Sequence, residues 1–263
     1  MKLDRDILTI VCSSNQKYIP YLKTFLNSIL INSPSVNIVA RLVNVDSETK
    51  KELRKKFKSL NLYIMNDNKK INNKKVIKPE IGEFGYQELL SLVRSKNNNL
   101  ITNSEGVYCS NIKFNTINKL LNKDFKNIVY LDVDTIVRKD ISILKDNLQN
   151  YDIGMFINED ELDCYSGWNA GIMLIRNTNA SKMMYLLIEK FVNDKFWDVD
   201  ADEEVFDKIY NEHKEVLKLY KVEKTFKDNG PNYDIDSHMW SGQSQEKVLN
   251  DSYKIESKKY EIS

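Results

Sequence analysis

The sequence predicts an α/β fold in which a mostly parallel central sheet is flanked by helices. Three observations carry this. Up to Met65 the chain alternates apolar runs and helical periodicities in the order βαβαβ. A strongly apolar run, Ile128–Asp132, opens the second half and ends in the acidic triplet Asp132-Val133-Asp134. A length of 263 residues, 41% hydrophobic and 29% charged, suits one large domain with a sizeable core.

The elements follow in order. Ile7–Val11 is a continuous apolar run rich in β-branched residues, the pattern of a strand buried on both faces. From Tyr18 to Ile31, Tyr18, Tyr21, Leu22, Phe25, Leu26 and Ile29 recur at helical spacing, and Ser33-Pro34 ends that helix. Val36–Val45 reads as the next strand, Ser47 opens a charged helix, and Leu62–Met65 is a short strand. The Asn- and Lys-rich segment 66–80, with Pro79 near its end, reads as a loop. Helices are expected at 84–95 and 110–122 before the strand at Ile128–Asp132. Strands at Asp152–Asn158 and Gly171–Arg176 and helices at 178–193 and 201–211 complete the pattern. The tail from Asp228 has no clear periodicity. No internal repeat or Gly/Ser/Pro-rich linker divides the chain, so one domain over 1–263 is expected.

Composition removes several function classes. Thirty-nine basic and 38 acidic residues leave a net charge of +1, which offers no field for nucleic acid. The basic stretches at Lys50–Lys56 and Lys69–Lys75 read as solvated faces. Cys12, Cys109 and Cys164 are odd in number and unpaired in spacing, as expected of a reduced, cytoplasmic protein. No apolar run approaches the ~20 residues of a membrane span, and the first residues lack signal-peptide form. There is neither a G-x-G-x-x-G nor a G-x-x-x-x-G-K-[ST] segment, so bound phosphates would call for a metal ion.

Asp132 and Asp134 are the most informative residues. Other D-x-D triplets occur at 198–200, 200–202 and 234–236, but this one sits at the carboxyl end of a strongly apolar strand, where open α/β sheets place ligands. In extended backbone, residues i and i+2 face the same way, so both carboxylates can converge on one point. Such a pair repels itself unless a cation lies between, and Mg²⁺ or Mn²⁺ suits oxygen ligands and bridges to a diphosphate. The acidic run at 198–204 is not a calcium loop: Glu203 stands where the turn glycine is required and Ile209 where the final Glu is.

These segments together resemble a family. NIVYLDVDTIVRKDI (127–141) is similar to the D-x-D segment of GT-A glycosyltransferases, particularly glycosyltransferase family 8 and glycogenin-like enzymes. VCSSNQKY (11–18) is similar to the first strand and loop that hold the nucleoside in such enzymes, with a Tyr against the base. WNAGIMLIRN (168–177) resembles the segment whose Asn faces the donor sugar, and DEEVFDKIY (202–210) stands where the family has D-Q-hydrophobic. His238, Gly242 and Lys247 resemble the late H-x-x-G-x-x-K segment, with one extra residue between His238 and Gly242 and no final Pro-Trp. Glu203 takes the place of the usual Gln.

The resemblance implies a GT-A fold, with a nucleotide-binding half of about 1–135 and an acceptor-side half of about 136–263. It also implies a metal-dependent glycosyltransferase using a nucleotide-diphosphate sugar, a UDP-sugar foremost. The acceptor would be a hydroxyl on a glycan, a lipid-linked sugar or a small molecule. Cys12, Ser13, Asn15 and Tyr18 would hold the nucleoside. Asp134 would bind Mn²⁺ or Mg²⁺ directly, and Asp132 would share the metal or hold the ribose. His238 would be a third metal ligand, tilting the site towards manganese. Asn169 would face sugar hydroxyls, and Asp202, Glu203 and Glu204 are candidate bases should the reaction invert the anomeric centre. Retention, which the family likeness implies, needs no such base. The rival enzyme reading is a haloacid-dehalogenase-type phosphatase with Asp132 as nucleophile and Asp134 as acid/base, although that motif normally opens its domain. A non-catalytic carbohydrate-binding module is the third reading.

Overall fold

The computed structural model describes residues 3–69, 105–157, 168–194, 201–223, 225–228, 237–240 and 251–261. Its first half is β1 (Thr9–Asn15), α1 (Ile19–Asn32), β2 (Asn37–Val43), α2 (Ser47–Lys56), β3 (Asn61–Asp67), α3 (Glu105–Leu121) and β4 (Asn127–Leu131). The second half continues with β5 (Ile136–Val137), α4 (Leu144–Asn147), β6 (Ile153–Ile157), β7 (Trp168–Arg176), α5 (Asn179–Asp194) and α6 (Ala201–His213). Three short strands, β8 (Leu219–Val222), β9 (Lys227–Asp228) and β10 (Met239–Trp240), precede α7 (Asp251–Lys258).

Seven strands form one sheet in the order β3-β2-β1-β4-β7-β6-β8. β3, β2, β1 and β4 run parallel, β7 is antiparallel to both β4 and β6, and β8 is parallel to β6. The strand order reverses at β1 and β4, so their carboxyl ends open side by side, where such sheets leave a crevice. Because β7 is antiparallel, its amino end arrives at the same edge, and the Asp132 amide donates to the Gly171 carbonyl at 3.1 Å.

The apolar run of β1 has the burial expected of it, and every residue of β1 and of β2 is buried, Asn37 and Arg41 of β2 included. Their two faces feed two separate cores. Ile10, Ile38, Val129 and Leu174 pack with Leu22, Phe25, Leu26 and Ile29 of α1. Val11, Val39, Tyr130 and Ile175 pack on the other side with α3, α5 and α6, through Phe114, Tyr185 and Phe206. Helices thus cover both faces, as parallel strands require. β1 runs further than its apolar stretch, through Cys12-Ser13-Ser14-Asn15, because β2 offers a ladder partner as far as Val43. Asn15 then caps a 3₁₀ turn at Gln16–Tyr18, its side-chain oxygen accepting from the Tyr18 amide, and Pro20 follows in the first turn of α1.

The expected helix at 84–95 and most of the expected loop at 66–80 lie outside the described residues, as does Cys164. The tail does contain an element that periodicity missed. α7 is held by contacts distant in sequence: the buried Glu256 pairs with Arg138 at 3.3 Å, and Asn27 donates to the Tyr260 carbonyl at 2.7 Å. β5, β10 and β9 form a second, three-stranded sheet beside it.

Ile10 is fully buried in β1 between strands on both sides. Ile10→Ala is expected to lower the unfolding free energy by about 2–5 kcal/mol, measured by urea denaturation.

Candidate active site

The carboxyl ends of β1 and β4, the first turns of α3 and α6 and the amino end of β7 enclose a cleft of about 450 Å³. Ser13, Ser14, Asn15 and Tyr18 form one wall, and Asp132, Val133 and Asp134 lie at the strand end. Ala170, Gly171, Asp202 and Glu203 close the other side. Residues from five segments therefore meet where the strand order reverses.

Asp132, Asp202 and Glu203 are each held in place by a hydrogen-bond donor. The Tyr130 hydroxyl, two positions back on the same side of β4, donates to Asp132 Oδ1 at 2.9 Å. Tyr130 is fully buried, and burial first, then the Asp132 carboxylate, holds its phenol well above the ordinary range, so it stays a donor. Asp202 opens α6, where a carboxylate complements the helix dipole. It also meets a buried lysine: Lys113 Nζ lies 2.5 Å from Asp202 Oδ2 and donates to the Ala170 carbonyl at 3.1 Å. The same ammonium sits over the Tyr130 ring, 4.8 Å from its centroid. Glu203 Oε1 accepts from the Ala170 amide at 3.3 Å. Four carboxylates and one ammonium give the described lining three formal negative charges.

Of the residues singled out in the sequence, Ser13, Asn15, Tyr18, Asp132, Asp134, Asp202 and Glu203 line this cleft. Tyr18 is half-buried, and its phenol is raised by burial and by the Asp134 carboxylate. Three expected residues are placed differently. Cys12 is fully buried in the core beneath the cleft, where burial pushes its thiol up to about 12, so its side chain is no part of the wall. Asn169 is in β7, outside the lining; its Oδ1 accepts from the Gly171 amide at 3.0 Å and shapes the Ala170–Gly171 backbone that does line the cleft. His238 is also outside the lining. Its Nδ1 lies 3.1 Å from the Asp140 carbonyl, and its ring stacks on Phe226 at 5.0 Å. Among the described residues no group of three or more His, Cys, Asp or Glu gathers to hold a metal.

Lys113 was missed, although the sequence held a signal. In α3 it falls on the stripe of Cys109, Thr116, Ile117 and Leu120, so helical geometry points a charge inward. A lysine on a buried stripe calls for a carboxylate partner.

A family model, Glycosyl transferase family 8, matches residues 9–195, well over half the chain. The chain belongs to glycosyl transferase family 8. Solved structures agree on the fold. The glycosyltransferase GlyE of Streptococcus pneumoniae TIGR4 superposes with a TM-score of 0.59 at 13% identity, over 99% of this chain and 61% of that one. The family 8 chain thus spans about three fifths of the length of that structure. The galactosyltransferase LgtC, solved with donor and acceptor sugar analogs, gives a TM-score of 0.59 at 12% identity, covering 97% of each chain. Mouse xyloside xylosyltransferase 1 gives 0.52 at 13% identity, over 91% of this chain and 98% of that one. No curated protein matches the chain in sequence. The α/β class and the GT-A architecture expected from the sequence are both borne out.

The family 8 chain buries Lys113 at 2% side-chain exposure, so its partner cannot be removed cheaply. Lys113→Met leaves the Asp202 carboxylate without its cation and is expected to cost about 3–5 kcal/mol of stability. The double variant Lys113→Met/Asp202→Leu recovers much of that loss in chemical denaturation.

Proposed function

We propose that this chain transfers a sugar from a nucleotide-diphosphate donor to a hydroxyl acceptor, with a divalent cation held at Asp132 and Asp134. The observation that carries the reading is the charge of the cleft. Four carboxylates face one ammonium, and that ammonium is already bound to Asp202. An anionic diphosphate is repelled by such a lining unless a cation enters with it.

The two strand-end carboxylates, Asp132 and Asp134, are hard oxygen donors opening on the cleft and would hold such an ion. Mn²⁺ or Mg²⁺ there would act as a Lewis acid for the departing diphosphate. The chain's own residues do the rest. Tyr130 fixes the Asp132 carboxylate through its 2.9 Å hydrogen bond. Ser13, Asn15 and Tyr18 form the nucleoside wall, with the Tyr18 ring available to stack on a base. Lys113 donates to Asp202 at the start of α6 and so fixes that carboxylate in the cleft wall. Asn169 accepts from the Gly171 amide through Oδ1, and its role towards the hydroxyls of the donor sugar stays part of the proposal. A UDP-sugar donor and a glycan, lipid-linked or small-molecule acceptor remain part of the proposal, as does a cytoplasmic site of action. Among the described residues no helix is long and apolar enough to cross a membrane. The phosphatase and binding-module readings gain no support, since the acidic motif follows the fourth strand and the chain belongs to a glycosyltransferase family.

Thermal-shift screening of nucleotide sugars with and without Mn²⁺ tests the reading: a donor should stabilise the chain when metal is present and not in EDTA. Asp134→Asn should keep the fold and lose donor hydrolysis by orders of magnitude; full hydrolysis by that variant in EDTA refutes the metal role. A third protein ligand from His238 requires its ring to turn from the Asp140 carbonyl towards the pair. The Mn²⁺ activation curve of His238→Ala overlays that of the unsubstituted chain if the ring stays in place, and shifts to higher Mn²⁺ if it turns.

A further inference from the structure

Helix α7 lies beyond residue 195, where the family match ends, yet a line of aromatic rings connects it to the nucleoside wall. Trp240 packs on Tyr253 at 5.7 Å between ring centroids, Tyr253 on Tyr21 at 5.4 Å, and Tyr21 on Tyr18 at 5.7 Å. All three contacts are tilted and within the range in which aromatic pairs attract. Tyr18, the last ring, lines the cleft.

The far end of this line is rigidly fixed. Glu256 is 2% exposed and bound by Arg138 at 3.3 Å and by Lys259 at 2.6 Å. The guanidinium of Arg138 also lies 5.7 Å from the Trp240 ring. Asn27 and Asn32 of α1 bind Tyr260, at its carbonyl and its hydroxyl. Tyr253 itself is buried, and its ring packs on Tyr21, which in turn packs on Tyr18. Tyr18, by contrast, is half-buried and stands where the chain leaves β1. A ring in that position keeps rotamer freedom, which binding must remove, unless a neighbour has already fixed it.

We propose that Tyr253 is a positioning residue for nucleotide binding: through Tyr21 it holds the Tyr18 ring in the orientation that receives the base. This rests on the nucleoside reading of Tyr18 given above. The C-terminal helix thereby sets nucleotide affinity from a side chain that does not line the cleft.

The test is a double-variant cycle on the full chain. Calorimetry is run with Mn²⁺ and the tightest binder among UDP, GDP and ADP, on protein whose fold is checked by circular dichroism. Tyr253→Ala should weaken binding roughly threefold to tenfold, the scale of one aromatic contact. Tyr253→Phe should bind as the unsubstituted chain does, since the ring and not the hydroxyl acts. In a Tyr18→Ala background, Tyr253→Ala should add no further loss, a non-additivity that general loosening of the fold does not produce. Should Tyr253→Ala fail to fold, Tyr253→Leu, which keeps bulk without an aromatic face, enters the same cycle. Unchanged affinity in the folded variant, or equal losses in both backgrounds, overturns the proposal. Unchanged affinity in Tyr18→Ala alone overturns the nucleoside reading instead.

Discussion

A buried ammonium ties together the parts of the molecule that make the cleft. Lys113 reaches from α3 to the Asp202 carboxylate at the start of α6 and to the Ala170 carbonyl in β7, and its charge rests against the Tyr130 ring of β4. Four elements converge on one side chain. Burying a lone ammonium costs several kcal/mol, so this arrangement persists because each element supplies a compensating oxygen or a π face. The cost of leaving any of them out gives the cleft a single shape. Such an interaction contributes less net stability than a well-packed apolar contact would, and more specificity of arrangement.

The cleft is also a place where the sheet cannot satisfy itself. At the reversal of strand order, β1 turns towards α1 while β4 turns towards β5, so the backbone at their carboxyl ends opens outwards. Small and polar residues occupy that opening: Ser13, Ser14, Asn15, Asp132, Ala170 and Gly171. Below them Ile10, Val11, Val129 and Leu131 are fully buried. The change from apolar to acidic within a single residue, Leu131 to Asp132, is the boundary between core and site. Family 8 membership is consistent with that division, a shared fold under a lining that can vary.

Much of this was legible in the residues. Strand β1 read as buried because its run is apolar and β-branched, and α1 as a helix because its apolar positions recur at helical spacing. Asp132 and Asp134 stood out from the other D-x-D triplets through the strand before them. Other features were not legible. The register that carries β1 on to Asn15 depends on β2. Cys12 looked like part of a binding loop until strand pairing placed it in the core. α7 was missed because it packs through few residues, Tyr253 and the ion-paired Glu256, with Tyr260 docking just beyond its end.

The sequence by itself determined the layered α/β class, the order of the first strands and helices, and the strand-end position of the acidic pair. Those are consequences of local periodicity and of where apolar runs stop, and neighbouring residues decide them. Tertiary structure alone decided which distant groups face one another: Lys113 with Asp202, Tyr130 with Asp132, Tyr253 with Tyr21, and His238 with the Asp140 carbonyl. The physical reason is that a charge, a hydroxyl or a ring meets its partner through space. The partner's identity is set by strand pairing and helix packing between segments that lie far apart along the chain.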